Sequence, residues 1–175
     1  LVIKNSTIEL DYLINRNIVN LDNATLTVKN GFGIAGRPAS ETENAANATA
    51  TISLANNSKV VVNNHNGMGL GQAANVLEGL GVMNIDKTSA FETTQGFVVT
   101  ANGTMNIAGN ATVAGTLTNN GAIVLTDAAA TLTSSECGNV TTSVQNSVVS
   151  YIDGKYTVGA AAAKFGDKYF ATLAE

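Results

Sequence analysis

The side chains able to do acid–base, nucleophilic or metal chemistry are few and far apart in this chain. Its six aspartates, Asp11, Asp22, Asp86, Asp127, Asp153 and Asp167, include no Asp-x-Asp pair, and its only arginines are Arg16 and Arg37. A polysaccharide lyase would need clustered acids to hold Ca²⁺ and a basic residue to take a proton from the sugar. Arg16 and Asp22 could share a face, but their separation alone does not make a site. His65 is the sole histidine, set in Asn-Asn-His-Asn-Gly, and a metal site would need partners that its neighbours do not supply. Cys137, in Ser-Glu-Cys-Gly, has no sequence neighbour to activate it as a thiolate, so nucleophilic catalysis would require the fold to bring it to His65.

Two other patterns deserve weighing. Gly67-Met68-Gly69-Leu70-Gly71-Gln72-Ala73-Ala74 matches the spacing of a dinucleotide-binding turn, which works by aiming backbone N–H groups and a helix N-terminus at pyrophosphate. Four polar residues separate it from the preceding Val60–Val62 strand, and no alternating strand–helix series follows. A glycine-rich corner is the expected reading. Tyr151, Tyr156, Phe165, Tyr169 and Phe170 crowd the C-terminal end, where aromatic rings either stack on sugars or seal the end of a core. The candidate ligand contacts are therefore Arg37, His65, Tyr151, Tyr156 and Tyr169. Thr-x-Thr pairs such as Thr25/Thr27 and Thr131/Thr133 suggest a hydroxyl array, but their irregular spacing would leave it ragged.

Whatever these residues do, an unusual chain positions them. It has 175 residues, 45% apolar and only 13% charged, with one Pro and no Trp. Asn and Thr together make about a quarter of it. A net charge of −4, thinly spread, gives no footprint for nucleic acid or an anionic membrane. No apolar run reaches the ~18 residues that a membrane helix needs. The chain opens on Leu-Val-Ile, in the middle of an apparent strand, which suggests a piece of a longer polypeptide.

The elements are short and they repeat. Thr7-Ile8-Glu9-Leu10 and Thr25-Leu26-Thr27-Val28 share one pattern 18 residues apart, each with an Asn two residues before its Thr. Gly103–Ile107 and Gly121–Leu125 repeat at the same interval. Each alternates apolar and polar side chains, the period of a half-buried strand. Asn-Asn, Asn-Gly, Ala-Gly and Asp-Gly punctuate them, and Asn and Gly accept the left-handed backbone of sharp corners. Such strands suit a coil that stacks on itself. At about 18 to 26 residues per coil the chain would make roughly seven to nine coils. Met105 would then stack on Ile123, and Ile107 on Leu125. Residues 36–47 read as a polar insertion at one corner, and the spacing of Ala74, Leu77 and Leu80 predicts a short helix over 71–80. An antiparallel β-sandwich is the structural alternative.

The tail, Ala163-Lys164-Phe165-Gly166-Asp167-Lys168-Tyr169-Phe170-Ala171-Thr172-Leu173-Ala174-Glu175, departs from this pattern. It resembles the first half of a phrase found in large exported proteins of gut Gram-positive bacteria, where it introduces pectate-lyase-like modules. The resemblance covers about a dozen residues closely. It implies a right-handed parallel β-helix in a secreted or cell-surface, multi-module parent. The expected organisation is a β-helix domain over 1–158, with 159–175 a terminal cap or the start of another module. The expected role is a non-catalytic structural or adhesin-like module without a cofactor or metal. Its partners would be a glycan, a host or bacterial surface protein, and neighbouring modules. Nucleic acid and membrane insertion are not expected. The alternative role is a carbohydrate-active, lyase-like or carbohydrate-binding β-helix.

Overall fold

A computed structural model describes residues 1–37, 48–72 and 79–171. Among them the chain is all-β, with no helix. Numbering strands along the chain, the first sheet runs β1 (Val2–Lys4), β3 (Ile18–Asp22), β5 (Thr49–Ala55), β7 (Leu80–Ile85), β10 (Gly103–Ile107), β13 (Ala122–Leu125) and β15 (Val140–Thr142), every neighbouring pair parallel. The second runs β2 (Thr7–Asn15), β4 (Thr25–Ile34), β6 (Lys59–Val62), β8 (Ala90–Thr93), β11 (Asn110–Val113) and β14 (Thr131–Thr133), also parallel. As far as β14 the chain visits the two sheets in turn, adding one strand to each on every pass.

Register follows the alternation. Thr7 pairs with Thr25 and Leu10 with Val28, and in the first sheet Met105 pairs with Ile123 and Ile107 with Leu125, as the 18-residue interval predicts. Inward residues form continuous columns. One is Ile3, Leu21, Leu54, Ile85, Ile107 and Leu125 in the first sheet; another is Ile8, Leu26, Val60, Phe91, Ala111 and Leu132 in the second. Most of these side chains are fully buried, so each apolar group is removed from water by the strands above and below. Outward residues pair along the same ladders. Asn106 donates to Asn84 Oδ1 at 2.9 Å, and Lys59 meets Glu92 at 2.7 Å.

The passes differ in length. Those from Asn20 to Ser53 and from Ser53 to Asn84 are longer than the expected range, because each carries an insertion. A third, shorter ladder forms beside them from the second halves of β2 and β4, bridged through Leu70 to β9 (Phe97–Val99) and on to β12 (Leu117–Asn119). Phe32, Phe91 and Phe97 fill the space this creates, with ring centroids 5.0 to 6.0 Å apart and tilted planes.

The antiparallel sandwich is corrected: among the described residues antiparallel pairing is confined to two C-terminal hairpins, the contact of the first with β14, and one isolated bridge between Gly69 and Gln72. Strands β16 (Ser147–Ile152) and β17 (Lys155–Ala160) form a hairpin, and β17 lies antiparallel on β14. The hairpin closes through Asp153 and Gly154, both at positive φ. Because β14 and β16 both run antiparallel to β17, the chain keeps its direction through β16 and reverses at the Asp153–Gly154 turn, before the boundary expected at 158. A second hairpin, β18 (Ala163–Phe165) with β19 (Lys168–Phe170), follows. The expected helix over 71–80 falls mainly on residues 73–78, outside the described residues. At the other end, Leu1, Val2, Tyr12, Ile14 and Ile18 are exposed around the free edges of β1 and β2.

Candidate functional site

Three surface regions are built by the corners rather than the sheets. The first is the corner between β1 and β2, repeated between β3 and β4 and between β5 and β6. Asn5, Asn23 and Asn56 stand there at φ 49, 50 and 55, a left-handed conformation that Asn tolerates better than most residues. They stack: Asn23 Nδ2 donates to Asn5 Oδ1 at 2.9 Å and Asn56 Nδ2 to Asp22 Oδ1 at 2.8 Å. Asp22 also meets Lys4 at 2.8 Å, and that ammonium together with the Asn56 amide holds its carboxyl below the usual carboxylate range. Burial raises Asp86, but hydrogen bonds from Ser89, Asn56 N–H and Thr88 outweigh it and keep that carboxyl low as well. Behind them the buried Ser58 accepts from Ala24 N–H and donates to Ala55 O. A polar groove of about 220 Å³ lies along this corner, lined by Asn5, Ser6, Thr7, Asn23, Ala24, Thr25 and Asn57. In the sequence its traces were the Asn two residues before Thr7 and Thr25 and the Asn-Asn step at Asn56 and Asn57.

The second region is the glycine corner. Gly36 N–H donates to Leu80 O at 3.0 Å, Gly79 N–H to Gly36 O at 2.9 Å, and Leu80 N–H to Ala48 O at 2.8 Å. Both repeat-breaking segments, 38–47 and 73–78, therefore leave and rejoin the sheets at one place. Arg37 is exposed beside it. The neighbouring Met68–Gln72 stretch is threaded into the protein instead of forming an open phosphate cradle. Met68 is 6% exposed and Leu70 fully buried, bridging Ile34 and Val99. A side chain on Gly69 would collide with Val98 O, and one on Gly71 with Thr100 Oγ1, so these glycines serve close backbone approach. His65 belongs to this packing: its Nδ1–H donates to Met68 O at 2.5 Å, and its ring meets Phe97 edge-on at 6.0 Å.

The third region is the C-terminal cap. Tyr156, 5% exposed, continues the column above Leu132, and its hydroxyl donates to Cys137 O and accepts from Cys137 N–H, both at 2.5 Å. Burial is the main cause that pushes its phenol up to about 12. Tyr151 stacks on it at 4.5 Å and donates to Ser134 O at 3.1 Å. Burial also pushes the Cys137 thiol up, away from the thiolate that nucleophilic chemistry needs. Tyr169 lies apart, with Lys164 Nζ 5.0 Å over its ring, at a shallow hollow of about 240 Å³ shared with Asn146 and Ala161–Ala163.

Of the sequence-based candidates, then, Tyr151 and Tyr156 come together, while Arg37, His65 and Tyr169 each sit in other surroundings. Arg16 Nη1 reaches Ala35 O, whereas Asp22 pairs with Lys4. Among the described residues no three His, Cys, Asp or Glu side chains gather as metal ligands. No protein-family model matches the chain, and no curated protein or solved structure matches it either.

Proposed function

We propose that the chain is a right-handed parallel β-helix acting as a non-catalytic structural module, a stiff rod of an exported bacterial surface protein. The observation that carries this reading is the pair of inward columns running unbroken through the parallel sheets, from Ile3 to Leu125 and from Ile8 to Leu132. Strands added to each sheet in turn are what a helical coil produces. Crossovers between parallel strands of one sheet are right-handed in about 98% of cases, which supports the hand. Seven strands at a spacing of ~4.8 Å give a rod about 29 Å long from β1 to β15. The likeness of the tail to pectate-lyase-like modules supports the same fold and an extracellular address.

Recognition, in this reading, belongs to the glycine corner, where Arg37 stands exposed and two inserted segments share one root. A glycan or a surface protein is the partner proposed. The test is a glycan and surface-protein binding screen of the intact chain and of a variant with residues 38–47 replaced by a short turn. Binding lost in the variant while its β-rich circular dichroism persists is expected. Release of unsaturated sugars from pectin or host glycans in the presence of Ca²⁺ would sink the non-catalytic reading.

A further inference from the structure

Four Asn-Gly steps occur in the chain, Asn30-Gly31, Asn66-Gly67, Asn102-Gly103 and Asn120-Gly121. An Asn-Gly step can close on itself when the glycine nitrogen reaches the side-chain carbonyl carbon, because glycine has no side chain to obstruct the approach. Three of the four steps are clamped. Gly31 lies inside β4 in register with Tyr12, with Met68 and the Tyr12 ring packed against it, and Asn30 Nδ2 is drawn to Asp11 at 3.4 Å. Gly103 N–H is committed to Thr100 O at 2.8 Å, and the residue is wedged beside Leu70 O and Val99. Gly121 N–H is committed to Asn119 Oδ1 at 3.2 Å, with Thr100 O and Gly103 O filling the place where a side chain would start.

Asn66-Gly67 differs on every count. Both residues are exposed, no atom lies within 4 Å of where a Gly67 side chain would start, and the pair forms a tight corner at φ 53 and 71. Asn66 N–H is held by Asn64 Oδ1 at 2.8 Å and Met68 N–H by His65 O at 3.0 Å, so the turn is pinned at both ends while Asn66 and Gly67 themselves face solvent. We propose that Asn66-Gly67 is a self-modifying site, at which the folded protein converts Asn66 to aspartate and isoaspartate without an enzyme.

The step balances with water alone. Gly67 N gives up its proton to solvent and bonds to Asn66 Cγ; the Cγ–Nδ2 bond breaks and ammonia leaves, forming a cyclic imide. Water then opens the imide at either carbonyl. Nothing is oxidised or reduced, and the product carries one new negative charge beside His65. Where the imide opens toward isoaspartate, an extra backbone carbon enters the turn that seats Met68, whose N–H bonds to His65 O at 3.0 Å.

The test is to hold the intact folded chain at mildly alkaline pH and 37 °C, then map peptides by mass with an isoaspartate-specific assay. A parallel sample is kept in denaturant. In the folded sample Asn66 is expected to react at least about tenfold faster than Asn30, Asn102 or Asn120, because those three must first open locally. In denaturant the four rates should converge. An Asn66→Gln variant should abolish the folded-state product while retaining its circular dichroism. If Asn30, Asn102 or Asn120 reacts as fast as Asn66 in the folded chain, the proposal is overturned.

Discussion

Tyr156 shows how much one hydroxyl can hold. It spans both backbone polar groups of Cys137 while its ring closes the column above Leu132. Replacing it with Phe keeps the ring but leaves Cys137 N–H and O unpartnered, so Tyr156→Phe should cost about 1–3 kcal/mol in urea unfolding. The same residue sets an alkaline limit. Its folded pKa is raised to about 12 from 10.0, so the neutral phenol is favoured in the native state. That contribution is fully present below pH 10 and is lost as pH rises toward 12. Stability measured across that window should fall in the native chain and fall less in Tyr156→Phe. None of this was legible in sequence. The crowding of aromatics near the C-terminus was visible, and so was the Asp153-Gly154 turn step, but nothing local says that the strand after it packs on β14 and brings Tyr156 to Cys137.

At the level of elements, the stacking interval carried most of the legible information. Thr7/Thr25 and Met105/Ile123 lie in register because alternation fixes which face is buried, and a slip of one residue would turn that face to water. The longer passes were hidden because inserted residues erase the interval without disturbing the strands that flank them. Alternation is also silent about direction, so β17 reads like any other strand although it runs against β14. The glycines sort the same way. A side chain on Gly103 would lie 2.5 Å from Leu70 O, while one on Gly138 would meet nothing within 4 Å. Gly103→Ala should therefore destabilise by roughly 1–3 kcal/mol, as overpacking does, and Gly138→Ala should change stability by less than about 0.5 kcal/mol. Thermal melts of the two variants would check this.

Over the whole molecule, the two ends are unequal. One is covered by the β16–β17 hairpin and its tyrosine pair; the other presents the free edges of β1 and β2 among exposed Leu1, Val2, Tyr12 and Ile14. In a stack held by nearest neighbours, an uncovered end opens at lower cost than the middle. Hydrogen exchange of this chain should therefore show least protection in β1 and β2, rising to a maximum in β7, β8, β10 and β11. Uniform protection from end to end would contradict it.

The joined roots at Gly36, Ala48 and Gly79 have a consequence for how such a molecule can change over generations. Added sequence is costly when it must hold distant points together, but here hydrogen bonds in the sheet already hold the points of exit and return. Each doubling of length then costs only about 0.6 kcal/mol of closure entropy. New residues can enter at this corner without any rearrangement of the core, which makes it the natural port for grafting foreign peptides and the place where related chains would differ most.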